Sequence, residues 1–313
     1  MKTEISNKIK NYFASMAIYK DPASTNSLFA GRNLPSFVKD FILKKYINTS
    51  GQVDRGALTA FLDNVIPQEA ASVKDRLGSG QELTLLTRFI IYIDLVKGIR
   101  RFAIPDLGIK LNEGQIPDYV YNQYVGDLVD GEKWGVIKLC VLPDMDGKKN
   151  HVEMVDYKPF KPYKSVDINY LREARRAFTT TEWLDVLLSA MEYDPDGFEC
   201  ISQKLEFLTR LLIFVEPRLN VIELAPKGTG KSYVFGNLSK YGWLVSGGKV
   251  TRAKLFYDKQ KQQNGIIKNH DYTAFDEIQT IVFQEPAEIQ AALKSYLESG
   301  KTTIDNTEFS SEC

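Results

Sequence analysis

The sequence predicts a protein of mixed class, in which an α+β N-terminal region precedes part of an α/β core. Three observations predict this. Apolar residues recur at helical spacing up to about residue 80, and they alternate as in β-strands from there to about residue 158. Beyond residue 218, short apolar runs alternate with helical stretches, as in a sheet covered by helices. A length of 313 residues corresponds to about two or three domains.

Residues 1–80 form the first predicted region, which is helical. Apolar side chains three or four residues apart place one face of a helix on a core, and two such stripes occur here. Asp54 is predicted to be the N-cap of a third helix, which ends at about Asn64 before Pro67, and Gly78 to Gly80 is typical of a linker. The two stripes comprise Ile5, Ile9, Tyr12 and Phe13, and then Phe37, Phe41, Ile42 and Tyr46.

Residues 81–165 form a β-rich region. This order of elements suits a small barrel like that of the oligonucleotide-binding (OB) fold, but it also suits the wing of a winged helix or a plain α+β unit. The alternating residues predict strands at 89–94, 100–104, 134–142 and 152–157, a turn at 143–147 and a helix over 118–129.

Residues 166–217 are predicted to be helical and to lead into the last region, 218–313. A proline-interrupted tether from Lys158 to Lys164 precedes them; it favours an extended linker, with contact to a nucleic-acid backbone as the alternative. Thr179 or Thr180 is expected to cap the second of three helices, with Glu182 near its positive end. These helices are predicted over 170–178, 181–191 and 203–214.

Composition excludes several classes of protein. The first 20 residues lack the apolar core of a signal peptide, and the most apolar run is far shorter than a membrane span. Three scattered cysteines and two distant histidines predict no disulfide framework and no zinc site, so a cytoplasmic protein is expected. The formal net charge of zero is a sum of unlike parts: residues 1–50 carry +5, residues 101–200 carry −6 and residues 201–250 carry +4.

The most informative segment is the run Ala-Pro-Lys-Gly-Thr-Gly-Lys-Ser at 225–232, between a predicted strand at 221–224 and a predicted helix at 233–238. This is a phosphate-binding P-loop with Ala225 in place of its first glycine. Backbone amides and the helix start surround phosphate oxygens, Lys231 reaches the β- and γ-phosphates, and the Ser232 hydroxyl binds Mg²⁺. The predicted nucleotide-binding residues are Ala225, Pro226, Lys227, Gly228, Thr229, Gly230, Lys231, Ser232 and Tyr233.

A second motif agrees with the first. The strand-like run 272–275 ends in Asp276 and Glu277, as in a Walker B motif. Asp276 is predicted to hold Mg²⁺ or its water shell, and Glu277 to polarise the attacking water. A strand at 243–246 and a helix at 253–262 separate the motifs, in the order of a P-loop sheet. Together the motifs predict a nucleoside triphosphatase that uses ATP and Mg²⁺, with Lys231 and Glu277 as its catalytic residues.

Several runs of the sequence resemble the Lon-protease-like BrxL proteins of bacterial BREX phage-exclusion systems. The similarity is close from about residue 170 to residue 300 and fainter upstream, at 34–37, 41–46 and 106–110. The runs that carry it are Phe-Thr-Thr-Thr-Glu-Trp at 178–183, the loop 225–232, Leu-Val-Ser-Gly-Gly-Lys-Val-Thr at 244–251, Lys-Leu-Phe at 254–256 and Ala-Phe-Asp-Glu at 274–277.

The resemblance implies more than the residues alone. It implies a DNA-binding N-terminal region, an AAA+ ATPase core, a homo-oligomeric ring on duplex DNA, other BREX components as partners, and a C-terminal Lon-like domain. The sequence ends 36 residues after Glu277, so we expect a partial AAA+ core, without the sensor, arginine finger or Ser–Lys dyad, and no proteolysis by this chain. A non-hydrolysing DNA-binding or scaffolding module with a remnant nucleotide site is the alternative function, and a fragment of an ATP-dependent protease is a third.

Overall fold

The computed structural model describes residues 2–13, 17–18, 27–32, 34–47, 52–66, 70–94, 98–129, 131–143, 150–160, 166–226, 228–239, 241–258, 263–304 and 307–311. The chain forms two compact units. The barrel unit comprises Ile18–Leu34 and Val38–Ser165, and the motif unit comprises Met1–Ala17, Pro35–Phe37 and Val166–Cys313.

Most of the predicted helices occur in the described residues with different bounds, but the helix predicted over 118–129 ends at Gln123 and the one predicted over 253–262 does not form. Their bounds are α1 Lys2–Phe13, α2 Ser36–Tyr46, α3 Arg55–Val65, α4 Ala70–Gly78, α5 Asp118–Gln123, α6 Ile168–Arg175, α7 Thr180–Ala190, α8 Ile201–Leu208, α9 Lys231–Asn237, α10 Arg252–Leu255, α11 Ile266–Asn269 and α12 Pro286–Ser299. Short 3₁₀ turns occur at Pro105–Leu107, Pro195–Gly197 and Thr209–Phe214.

The strands of the described residues fall into one barrel and three small sheets. Their bounds are β1 Leu83–Asp94, β2 Ile99–Ile104, β3 Ile109–Gln115, β4 Gly131–Pro143, β5 Asn150–Pro159, β6 Gly242–Val250, β7 Tyr257–Asp258, β8 Gln263–Asn264, β9 Tyr272–Phe283, β10 Lys301–Ile304 and β11 Thr307–Ser310.

Five strands of the barrel unit close on themselves in the order β1-β2-β3-β5-β4, and β4 pairs back with β1. All neighbouring pairs are antiparallel except β3 and β5, which run parallel. The core is apolar and includes Phe89, Phe102, Ile137 and Leu139, all fully buried, together with Leu77 from α4. A closed five-stranded sheet therefore follows the helical start of this unit. Of the turn predicted at 143–147, residues 144–147 lie outside the described residues.

The predicted N-cap of α3 is confirmed. The Asp54 side chain accepts a hydrogen bond from the backbone N–H of Ala57, which otherwise has no partner at a helix start. The helix buries Leu58, Leu62 and Val65 along one face, at the spacing that the sequence pattern requires.

Glu132, on β4, is a partly buried carboxyl beside the guanidinium of Arg88. Its Oε2 atom lies 3.5 Å from Arg88 Nη1, and Arg88 also forms a 3.0 Å ion pair with Asp106. Burial raises the pKa of Glu132 to about 7; the Arg88 charge opposes this shift and Asp106 adds to it.

We expect this carboxyl to make stability depend on pH. Because its pKa is raised in the folded state, the folded protein binds the proton more tightly. The contribution of this group to stability is therefore greatest below about pH 4.5 and is lost as pH rises through about 7, by about 3 kcal/mol at most. Denaturant unfolding of Glu132→Gln at pH 5 and pH 8 should lack this loss, whereas Asp75→Asn, at an exposed position of α4, should retain it. Equal pH dependence in wild type and Glu132→Gln would contradict the assignment.

In the motif unit, the first helix packs against helices that follow it by about 160 residues. The Phe13 ring contacts Phe178 and Trp183 at 5.9 and 6.1 Å between centroids, and Lys8 Nζ donates to Glu182 Oε1 at 2.6 Å. Of the two predicted candidates, Thr179 is the N-cap of α7, and it forms a reciprocal capping box with Glu182. The hydrogen bond from Lys8 lowers the pKa of Glu182, so the carboxylate at this helix start stays charged.

Strands β6 and β9 form a parallel pair, which begins with Gly242 opposite Tyr272 and continues to Ser246 opposite Asp276. The helix predicted over 253–262 is wrong: α10 ends at Leu255, and β7 turns back to pair with β8. Phe256 is fully buried beside Tyr296 and Phe309, which anchors the chain where the helix was expected to continue. Residues 259–262 lie outside the described residues.

Among the described residues, no helix is both long enough and apolar enough to cross a membrane.

Candidate nucleotide-binding site

The loop 225–230 leads directly into α9. Gly228 and Gly230 have φ values of +84° and +76°, in the left-handed region that glycine adopts without steric cost. Gly230 is the N-cap of α9, so the loop delivers its backbone to the helix start, where unpaired amides and the helix dipole favour an anion. Lys227 lies outside the described residues.

The strand predicted before the loop is wrong. Residues 221–224 have no strand assignment, and in the part of the chain that the structure describes, β9 pairs only with β6. The side chains of Ile222 and Leu224 are 89% and 94% exposed. An apolar run forms a strand only where a neighbouring edge supplies hydrogen bonds, and here no such pairing is made.

Lys231 lies across the beginning of its own loop. Its Nζ atom donates hydrogen bonds to the carbonyl oxygens of Ala225 at 2.6 Å and Pro226 at 3.1 Å. The positive charge is thereby placed beside the turn of the loop. An ammonium group has three donors on a flexible stem, so it can exchange these carbonyls for phosphate oxygens.

The two predicted metal ligands meet. The Ser232 hydroxyl donates a 2.5 Å hydrogen bond to Asp276 Oδ2, across 44 residues of sequence. Two contacts bring them together: the parallel pairing of β6 with β9, and a 2.7 Å hydrogen bond from the Tyr272 hydroxyl to the carbonyl of Phe235 in α9. Burial raises the pKa of Tyr272, so its hydroxyl remains a donor.

The Ser232 hydroxyl and the Asp276 carboxylate are suitable oxygen ligands for Mg²⁺. The ion prefers oxygen ligands, and in nucleotide sites it is held by one or two protein groups while phosphates and waters complete its coordination. A hydroxyl and a carboxylate in direct contact satisfy that requirement. Within the described residues, no group of three or more His, Cys, Asp or Glu side chains could hold a metal ion, so phosphates and waters would have to supply the remaining ligands here.

Glu277 follows Asp276 at an irregular point of β9. Its φ is +47°, which is unusual for a residue with a side chain, and its own side chain is exposed. The pairing with β6 skips here, from Ser246 opposite Asp276 to Gly248 opposite Ile281, and the Thr280 hydroxyl donates to the Glu277 carbonyl at 2.9 Å. Such a backbone costs about 1–3 kcal/mol and is often found at functional sites.

Three residues that the sequence interpretation did not assign also contact this region. Arg210 and Tyr193 each donate a hydrogen bond to a carbonyl of the loop. Glu192, with a φ of +68°, accepts hydrogen bonds from the hydroxyls of Tyr233 and Ser36. No local motif marks these residues. The sequence signal for Arg210 is a basic residue within a predicted apolar helix, together with Glu223 just before the loop.

Comparisons with known proteins match the chain to two families. Residues 152–313 match the family described as Lon-like protease BrxL-like, ATPase domain, and residues 11–140 match the BREX system Lon protease-like protein BrxL N-terminal family. All the candidate site residues lie within the ATPase-domain match.

Two curated proteins are similar along most of the chain. The Lon-like protease BrxL of Escherichia coli O9:H4 (strain HS) is 30% identical over 301 residues, covering 93% of this chain and 42% of that protein. The Lon-like protease BrxL of Bacillus cereus (strain H3081.97) is 27% identical over 303 residues, covering 95% and 44%. The chain therefore spans less than half the length of these relatives. From the extent of the ATPase-domain match, which covers more than half of its residues, the chain belongs to the BrxL family of Lon-like proteins.

Proposed function

We propose that this chain is a DNA-associated AAA+ ATPase subunit of a BREX-type phage-defence system, located in the cytoplasm and assembling as a homo-oligomeric ring with other BREX components as partners. It binds Mg·ATP through the loop 225–232 and the pair Asp276 and Glu277. The observation that carries the proposal is the hydrogen bond between Ser232 and Asp276, because it joins two motifs that are far apart in sequence. The match to an ATPase-domain family supports the same interpretation.

Each residue has a definite task in this proposal. The amides of the loop and the start of α9 bind phosphate oxygens. When nucleotide binds, Lys231 gives up its hydrogen bonds to the carbonyls of Ala225 and Pro226 and donates to the β- and γ-phosphates instead. Ser232 and Asp276 would hold Mg²⁺, which neutralises charge on the phosphates when bound.

Glu277 acts on water. As the water oxygen forms its bond to the γ-phosphorus, the bond from that phosphorus to the β–γ bridging oxygen breaks, and Glu277 accepts the proton that the water loses. The exposed position of Glu277 leaves its carboxylate accessible to such a water.

The metal ligands provide the test. Ser232→Ala removes one oxygen ligand, so the affinity for ATP in the presence of Mg²⁺ should fall by about tenfold, whereas affinity measured in EDTA should stay close to wild type. Isothermal titration calorimetry with the full chain measures both quantities. Ser189→Ala, an exposed serine on α7, is the matched control. Wild-type chain that binds no ATP with or without Mg²⁺ would refute the proposed function.

The barrel supports the DNA-binding part of the proposal. Its closed five-stranded sheet, with the parallel β3–β5 pair and the helix α5 between β3 and β4, favours the OB-type interpretation, and OB folds often bind oligonucleotides. Residues 1–50 add a net charge of +5. We expect the full chain to shift a labelled duplex in low salt and to lose affinity steeply as salt rises. Absence of binding at low salt would remove DNA from the proposal, and DNA binding without ATP turnover would favour the scaffolding alternative.

A further inference from the structure

We propose that Arg210 and Tyr193 are positioning residues of the nucleotide loop, which hold its peptide planes so that two successive amides face a bound phosphate. The inference rests on the proposed nucleotide site and adds two residues that lie outside both motifs.

Arg210 contacts the loop from a buried position. Its side chain is only 7% exposed, and Nη1 donates a 2.9 Å hydrogen bond to the carbonyl oxygen of Thr229. The guanidinium stacks over the Phe207 ring at 4.1 Å. Its Nε and Nη2 atoms donate to Glu223 Oε2 and Oε1 at 3.0 and 2.5 Å. The guanidinium is therefore fixed by a forked ion pair and by an aromatic face, and its Nη1 atom donates to the loop.

Tyr193 contacts the next carbonyl. Its hydroxyl donates to the Gly230 carbonyl oxygen at 3.3 Å, and its ring packs edge-on against Phe207 at 4.5 Å. A Cβ atom at position 230 would lie 1.7 Å from this hydroxyl, so the approach requires glycine. The Gly230 carbonyl also accepts the first helical hydrogen bond, from the Val234 N–H.

The direction of a carbonyl fixes the direction of the following amide. The C=O of one residue and the N–H of the next belong to one planar peptide group and point in opposite directions. Donors that hold the carbonyls of Thr229 and Gly230 therefore direct the N–H groups of Gly230 and Lys231 to the opposite side of the loop. Successive amides presented in this way form an anion-binding concavity.

Arg210 is the more important of the two residues, because the carbonyl that it orients, that of Thr229, does not accept the first hydrogen bond of the helix. The Gly230 carbonyl is already oriented by the helix, so Tyr193 reinforces an existing direction. Lysine cannot replace Arg210, because a single ammonium cannot bind Glu223 at two atoms, stack on Phe207 and reach Thr229 together.

The experiment measures the loop without and with nucleotide. Hydrogen–deuterium exchange of a peptide that spans 225–232, in the free full chain, reports loop order; calorimetry with Mg·ATP reports affinity. For Arg210→Lys we expect faster exchange and an affinity about tenfold lower, and for Tyr193→Phe about threefold lower, because each loses a hydrogen bond that orients the loop. Tyr124→Phe removes a comparable hydroxyl contact, to Asp156 in the barrel unit, and should change neither quantity.

A purely structural role gives a different result. If both variants are less stable to denaturant but keep wild-type exchange in 225–232 and wild-type affinity, the positioning role is wrong. If Arg210→Lys does not fold, Tyr193→Phe alone tests the positioning role, because it removes only the hydroxyl oxygen that contacts Gly230. Faster loop exchange in the variants, together with a wild-type chain that binds no ATP, would refute the nucleotide function while supporting the positioning of the loop.

Discussion

Replacing Glu277 by Gln is expected to leave Mg·ATP binding unchanged and to lower the rate of hydrolysis by at least about a hundredfold. Glutamine has almost the same shape as glutamate but cannot accept a proton from water. Since Glu277 follows Asp276 at the interruption of β9, the substitution would remove the proposed base without removing a proposed ligand of Mg²⁺. The variant should therefore hold ATP without turning it over.

Phosphate release and ATP affinity, measured on the same preparation, test this prediction. Glu285→Gln is the matched control, because Glu285 is also an exposed glutamate with a left-handed backbone, at φ +57°. It should hydrolyse ATP at the wild-type rate. Normal turnover in Glu277→Gln would show that another group activates water. A wild-type chain that binds but never hydrolyses ATP would favour the scaffolding alternative.

Replacing Lys231 by Ala should have the largest effect on binding. We expect ATP affinity to fall by about a hundredfold or more, because hydrogen bonds from a charged group to phosphate contribute about 1.5–3 kcal/mol each. The variant also loses the two hydrogen bonds that Lys231 makes to the start of its loop.

Calorimetry with Mg·ATP measures this loss, and Lys249→Ala, an exposed lysine on β6, serves as the control for removal of a positive charge. Stoichiometric ATP binding that survives Lys231→Ala would overturn the assignment of the loop as the nucleotide site.

Part of the geometry of the candidate site could be predicted from sequence, because residue types at fixed spacing constrain the local backbone and suggest which side chains share a task. The glycines at 228 and 230 require positive φ, and the structure shows it. The meeting of Ser232 with Asp276 was implied by the shared metal role assigned to both residues, and the structure brings them together. Local capping was also predictable, as Thr179 and Asp54 show, since a cap involves only the next three residues.

Features that depend on distant partners could not be predicted in this way. The run 221–224 has the composition of a strand, but composition does not reveal whether a neighbouring edge will pair with it. Strand β3, with the polar sequence Ile-Lys-Leu-Asn-Glu-Gly-Gln, was missed for the opposite reason: its neighbours in the barrel determine its conformation. Likewise, a basic residue within an apolar helix and a glutamate before the loop are visible in the sequence, but they do not indicate that Arg210 will contact both Glu223 and Thr229.

The exposed side chains before the loop have a practical consequence for the protein in solution. Val221, Ile222 and Leu224 present 55–94% of their surface to water, directly beside the residues that would bind nucleotide. Adjacent branched apolar residues at the surface promote association between molecules. The concentrated protein should therefore tend to self-associate through this segment. A single charged residue at position 222 would reduce that tendency while leaving the loop intact.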